Sequence, residues 1–148
     1  MSRGLIKREY LPEFVYGGID GAVTTFAVVS GALGAALSPA VVLILGFANL
    51  FADGFSMATS NYLAVKSETD LHFRSKDYKS FVKRGKHPLK TAAVTFLSFL
   101  IIGFIPLLSF VLARIFPYFE ANKGIYSIVL TGIALASVGA VKGFIVKK

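Results

Sequence analysis

Four long stretches of mostly apolar residues dominate this chain of 148 residues. They cover approximately residues 14–37, 40–65, 89–113 and 124–146. A helix of about 20 apolar residues crosses the hydrocarbon layer of a bilayer, so each stretch is long enough for one crossing. The sequence therefore predicts an all-α, polytopic transmembrane helix bundle with four spans, forming a single transmembrane domain over residues 1–148.

Most basic residues lie outside these stretches, and their distribution predicts an orientation. The net charge is +8, and eight of the sixteen Lys and Arg residues fall between Lys66 and Lys90. Others flank the two ends of the chain, at Arg3, Lys7, Arg8, Lys147 and Lys148. Because cytoplasmic loops carry such an excess, we expect a cytoplasmic N-terminus and a basic cytoplasmic loop over 67–88. Basic flanks also attract anionic lipid headgroups. No aromatic-interleaved basic groove is present, so no nucleic-acid partner is expected.

Polar residues recur every fourth position inside the second apolar stretch. They are Asn49, Asp53, Met57 and Asn61, and on a helix this spacing forms one stripe. The first stretch contains a second isolated carboxylate, Asp20. Asp20 and Asp53 lie at nearly equal separations from the turn before Pro39. An antiparallel hairpin would therefore bring the two carboxylates to a similar depth.

Carboxylates at membrane depth are costly and tend to mark ion pathways. Two unpaired carboxylates in one low-dielectric region cannot both stay ionised cheaply, so one or both should hold a proton when the site is empty. Metal ligands must be deprotonated, so metal binding would release protons. The Asn49 amide and the Met57 thioether add neutral ligands, and a thioether favours transition metals such as ferrous iron. Asp20, Asn49, Asp53 and Met57 are thus the candidate metal ligands, with no permanently bound cofactor expected.

Other interpretations of the same residues remain open. The polar stripe could hydrogen-bond neighbouring helices, contributing about 1 kcal/mol per contact, in a non-transporting membrane scaffold or partner subunit. Met57 alone would be an ordinary packing residue. A cation channel without proton coupling would use the same carboxylates. Lys142 in the last stretch could extend to the interface or neutralise a carboxylate. No nucleophilic triad, phosphate-binding glycine loop or zinc motif is present, so no enzyme activity is expected.

Glycine and proline add two structural expectations. Gly17 and Gly21 are four residues apart in the first span, a spacing that lets helices approach closely. Pro106 lies inside the third span and should kink it, because proline removes a backbone hydrogen bond and crowds the preceding turn.

The segment EFVYGGIDGAVTTFAVVSGALGA, followed by GFANLFADGFSMATSNYLAVKSE, resembles the opening hairpin of the vacuolar iron transporter family. The likeness covers residues 10–70 well and residues 89–148 in general pattern. It implies an all-helical homodimer that moves ferrous iron, or manganese, out of the cytosol in exchange for protons, with Asp20 and Met57 in the pathway. The membrane would be the cell membrane of a prokaryote, or a vacuolar or other endomembrane of a eukaryote.

This chain departs from the family pattern in three respects. Many members carry glutamate eight residues before the pathway methionine, where this chain has Asn49, and a carboxylate appears at Asp53 instead. Iron-transporting members often carry a glutamate-rich cytoplasmic domain between the second and third spans. Here the segment is short and basic, so no cytosolic metal-collecting site is expected. The family usually has five spans and four are visible, which indicates a shortened relative or a fragment.

Overall fold

The computed structural model of the chain describes residues 8–72 and 86–147. After a 3-10 turn at Arg8–Tyr10, these ranges form α1 (Leu11–Gly34), α2 (Pro39–His72), α3 (Pro88–Gly103), α4 (Ile105–Ile115) and α5 (Lys123–Val146), with a second 3-10 turn at Pro117–Phe119. Three helices are long and apolar enough to cross a membrane, and the bent pair α3 and α4 makes a fourth crossing if it is one span. No strand occurs in the described ranges. The predicted all-α membrane helix bundle is confirmed.

A tight turn over residues 35–38 joins α1 to α2. Ala36 adopts a positive φ of 53°, and the Leu37 amide donates to the Ala32 carbonyl at 3.0 Å, which closes the end of α1. Pro39 then opens α2, at a position where a missing amide hydrogen costs nothing. We call the end of the bundle where α1 begins and α5 ends the N-terminal end, and the end that holds this turn the turn end.

Glycines allow α1 to cross α3 with almost no space between the backbones. A Cβ atom on Gly21 would lie 2.5 Å from the Phe99 carbonyl oxygen, and one on Gly17 would lie 2.6 Å from the Thr95 carbonyl oxygen. On α3, a Cβ on Gly103 would lie 2.8 Å from the Gly21 carbonyl oxygen. Asp20 therefore lies between Gly17 and Gly21, two positions at which α1 packs directly on the backbone of α3.

The third predicted span is broken rather than continuous. The helices α3 and α4 meet at Phe104 with a bend of 44°, and Pro106 lies in the first turn of α4. The Pro106 carbonyl accepts a hydrogen bond of 2.8 Å from the Ser127 hydroxyl of α5. The break therefore follows from Pro106, as the sequence indicates, and α5 is anchored to it.

Helix α2 is longer than the second apolar stretch. It continues to His72, so residues 67–72 are helical, whereas the predicted loop began at residue 67. The Thr69 hydroxyl donates to the Val65 carbonyl at 2.9 Å within this extension. Between Pro39 and His72 the glycines are Gly46 and Gly54, and there is no further proline. Residues 66–72 therefore contain no residue that would end the helix. The rest of that predicted loop, up to residue 85, lies outside the described residues.

Two apolar clusters hold the helices together. One joins α2 to α1, α3 and α4 and contains Val29, Ala32, Val42, Leu50, Phe99, Leu107 and Phe110. The other joins α5 to α1 and α3 and contains Ala22, Ile102, Ala134 and Val138. Helix α3 packs between α1 and α2, while α5 packs on α1 and α4.

Candidate functional site

The polar residues of α2 lie beside the buried face of that helix. The buried positions recur every fourth residue, at Val42, Gly46, Leu50, Gly54 and Ala58. The polar stripe, which consists of Asn49, Asp53, Met57 and Asn61, is shifted from them by one residue, or about 100° around the helix. Its members are therefore half-buried, because they line the edge of the α2 contact instead of its centre.

Asp20 of α1 and Asp53 of α2 lie at the same level along the axis of the bundle. Asp20 precedes the end of α1 at Gly34 by fourteen residues, and Asp53 follows the start of α2 at Pro39 by fourteen. Each therefore lies about 21 Å from the turn end at 1.5 Å per residue. Both side chains are half-buried, and the two carboxylates repel each other electrostatically. Among the described residues, neither carboxylate has an ion-pair partner.

Asn49 and Met57 lie one helical turn on either side of Asp53. The Asn49 amide nitrogen is buried, and no hydrogen-bond partner for it occurs in the part of the chain that the structure describes. An unpaired buried amide nitrogen costs roughly 1–3 kcal/mol, and as a donor it would be satisfied by a hydrogen-bond acceptor, whereas only the amide oxygen of Asn49 could bind a metal ion. Met57 packs against the apolar cluster around Phe99, so its contacts already explain its presence through packing.

Asn61, the last member of the polar stripe, has a structural role. Its amide donates a 2.7 Å hydrogen bond to the Thr95 hydroxyl, which links α2 to α3. The Thr95 hydroxyl in turn donates to the Thr91 carbonyl at 3.0 Å. In the first helix, the Thr24 hydroxyl donates to the main-chain carbonyl of Asp20 at 2.8 Å and leaves the carboxylate free.

The available donor set contains two carboxylates. No group of three or more His, Cys, Asp or Glu side chains able to hold a metal ion occurs within residues 8–72 and 86–147. The two negative charges of Asp20 and Asp53 would balance one divalent cation, and the Asn49 amide oxygen offers a neutral ligand of the kind that manganese and iron accept. The candidate ligands that the described residues offer here are therefore two carboxylates and one amide oxygen.

Sequence reasoning missed one ion pair near the N-terminal end. The Lys86 ammonium lies 2.6 Å from a Glu13 carboxylate oxygen, and Glu13 is only 9% exposed. The His87 amide donates to the Tyr10 hydroxyl at 3.4 Å, and burial raises the pKa of that phenol above its usual value. Because 73 residues separate the ion-paired residues, no local spacing in the sequence signals them.

Lys142 of α5 is a charged residue close to the candidate site. It lines an apolar groove between α1 and α5 together with Asp20. The sequence left open whether Lys142 extends to the interface or neutralises a carboxylate. Its place in this groove follows only from the packing of α5 on α1.

Comparisons with known proteins agree with this architecture. Residues 11–80 and 72–148 match the sequence model of the VIT family. A vacuolar iron transporter of Plasmodium berghei is 28% identical over 84% of this chain, and one of Toxoplasma gondii is 45% identical over 42% of it. A membrane protein of ER body-like protein from Arabidopsis thaliana is 31% identical over 68% of this chain. The chain spans 66%, 20% and 15% of these three relatives, and no solved structure matches it. Since the family match extends over nearly all of the described helices, the chain belongs to the VIT family.

Proposed function

We propose that this chain transports a divalent transition metal, ferrous iron or manganese, out of the cytosol in exchange for protons. The observation that carries the proposal is the pair Asp20 and Asp53. Two carboxylates lie at matching depth in apolar helices, repel each other and lack an ion-pair partner among the described residues. Vacuolar iron transporters among the relatives support metal as the cargo.

The chemistry of the exchange follows from the cost of this charge. Two carboxylates in a low-dielectric region hold at least one proton when no cation is present. A divalent cation displaces that proton because it interacts favourably with both ionised groups. Asn49 then supplies an amide oxygen, and Met57 supplies a thioether that favours iron over magnesium. Release of the metal on the far side lets the carboxylates take up protons there, which completes the exchange.

The proposed orientation places the N-terminal end of the bundle in the cytosol. Lys66 and Lys86 lie towards that end, and the sequence between them is rich in basic residues, in accord with the excess of such residues in cytoplasmic loops. We further propose that the chain works as a homodimer, in the cell membrane of a prokaryote or in a vacuolar or related endomembrane of a eukaryote.

Transport into liposomes tests the proposal. Purified protein is reconstituted into vesicles that contain a metal-sensitive dye or a pH-sensitive dye, and Fe²⁺ or Mn²⁺ is added outside under an imposed pH gradient. The wild-type chain should accumulate metal and move protons in the opposite direction. Asp20→Asn should lower both fluxes at least tenfold, because one of the two negative charges is lost. Asp70→Asn is the matched control, because the same chemical change falls on the exposed extension of α2.

Three other outcomes of the liposome experiment would contradict the proposal. Wild-type vesicles that take up no metal would favour a scaffold or partner subunit. Metal flux that does not respond to the pH gradient would favour a channel without proton coupling. Normal flux in Asp20→Asn would remove the carboxylate pair from the mechanism.

A further inference from the structure

The groove between α1 and α5 contains two opposite charges. Its volume is about 670 Å³, and its walls are mainly apolar side chains of both helices. Asp20 contributes the negative charge from α1, and Lys142 contributes the positive charge from α5. The two groups do not form a salt bridge in this structure, so each has its charge in the same apolar groove without direct contact to the other.

The register between the helices sets the separation along the bundle. A Cβ on Gly18 would lie 3.4 Å from Val138, and a Cβ on Gly124 would lie 3.2 Å from Leu33. Residue numbers therefore rise on one helix as they fall on the other, so α1 and α5 are antiparallel. This register sets Lys142 opposite residues 14 and 15 of α1. Asp20 then lies roughly 8 Å further towards the turn end, at 1.5 Å per residue.

Along the bundle axis, the Cα–Cβ bond of each residue leans towards the level of the other. A helical Cα–Cβ bond leans towards the N-terminus of its own helix. For Lys142 on α5 this direction is towards the turn end and the level of Asp20. For Asp20 on α1 it is towards the N-terminal end and the level of Lys142. The four-carbon stem of lysine spans most of the remaining separation. To reach the N-terminal end of the bundle instead, the Lys142 side chain would have to extend against the direction of its Cα–Cβ bond.

We propose that Lys142 is a tethered cation that pairs with Asp20 when the groove holds no metal and that an arriving metal ion must displace. This inference rests on the proposed transport function. Pairing offsets part of the cost of an ionised carboxylate in an apolar groove. Asp53 does not line the groove, but its negative charge acts on Asp20, so a divalent cation bound at Asp20 is attracted by both carboxylates and competes successfully with a single ammonium group. A monovalent cation has no such advantage over the lysine, so Lys142 makes the site selective for divalent ions.

The ion pair is tested first without metal. The apparent melting temperature of detergent-solubilised protein in chelator is measured for Asp20→Asn, Lys142→Met and the double variant. Pairing predicts that the two shifts are not additive, with a difference of about 3 °C, since a chain of this size shifts by roughly 2–4 °C per kcal/mol. Additive shifts would mean that Lys142 does not pair with Asp20, and the inference would be overturned.

The competition is tested by Mn²⁺ binding, measured from the loss of the free-ion paramagnetic resonance signal. Lys142→Met should lower the Kd roughly tenfold, the change expected if about 1.4 kcal/mol of competing interaction is removed. Lys142→Arg keeps the charge and should bind as the wild type does. Lys147→Met removes a lysine from the end of the same helix, outside the groove, and should leave the Kd unchanged.

The outcomes separate this inference from the proposed function. Equal Mn²⁺ affinity in the wild type and Lys142→Met would overturn the competition while leaving transport intact. No Mn²⁺ binding by the wild type would refute the proposed function. If the wild type binds no Mn²⁺ but the melting shifts of Asp20→Asn and Lys142→Met are not additive, Lys142 is only a structural partner of Asp20, and its role in selectivity is overturned.

Discussion

Replacing Gly21 with alanine tests whether the crossing of α1 and α3 holds the candidate site together. The new Cβ atom would lie 2.5 Å from the Phe99 carbonyl oxygen and 3.0 Å from the Phe99 Cα atom. Both are backbone atoms, so a side-chain rotation cannot relieve the overlap and the helices must separate. Overpacking of this kind costs about 1–3 kcal/mol, and the main-chain contact places Gly21 at the upper end of that range. The better helix propensity of alanine offsets at most about 1 kcal/mol.

Gly31→Ala is the matched control on the same helix. Nothing lies within 4 Å of a Cβ atom at Gly31, so this variant should gain up to about 1 kcal/mol from helix propensity alone. The two variants should therefore differ by about 3 kcal/mol, or roughly 9 °C in melting temperature. The chain lacks tryptophan, so melting is best followed by loss of the size-exclusion peak of a fluorescent-protein fusion after heating. Equal melting of the two variants would refute the close crossing.

Two further predictions concern Glu13 and Met57. Glu13→Gln should lower the free energy of unfolding by about 2 kcal/mol, because it leaves the Lys86 ammonium without its partner. That value is below the range for a fully buried pair because the Lys86 side chain is 32% exposed. Adding Lys86→Met to Glu13→Gln should lower the stability little further. Fully additive shifts in melting temperature of the two single variants in the double variant would contradict the pairing. Met57→Leu nearly conserves volume and should melt within about 1.5 kcal/mol of the wild type while changing the ratio of iron to magnesium uptake; an unchanged ratio would exclude thioether coordination.

The helices and their breaks could be predicted from the sequence because their causes are local. Long apolar stretches reveal the spans, and Pro106 reveals the break after α3, since both effects act within one or two helical turns. The four-residue spacing of Asn49, Asp53 and Met57 likewise places them on one side of α2 without tertiary information.

The neighbours of those residues depend on packing and could not be predicted. The apolar stretch of α2 has no marked sidedness, so the sequence cannot indicate that its core face lies one residue away from the polar stripe. The partnership of Asn61 with Thr95 requires the position of α3. The shared groove of Asp20 and Lys142 requires the antiparallel register of α5. The continuation of α2 to His72 could not be predicted from the apolar pattern, because helix propagation depends on backbone hydrogen bonds, which polar residues form as well.

The length of α2 has a mechanical consequence. Its 34 residues extend about 51 Å at 1.5 Å per residue, while the hydrocarbon layer is only about 30 Å thick. Asp53 and the charged residues near His72 thus belong to one uninterrupted helix, part of which extends beyond the hydrocarbon layer when the helix crosses it close to the membrane normal. A protein or a lipid headgroup that binds near His72 and tilts this end of α2 would therefore also tilt the part of the helix that carries Asp53, without contacting the membrane interior.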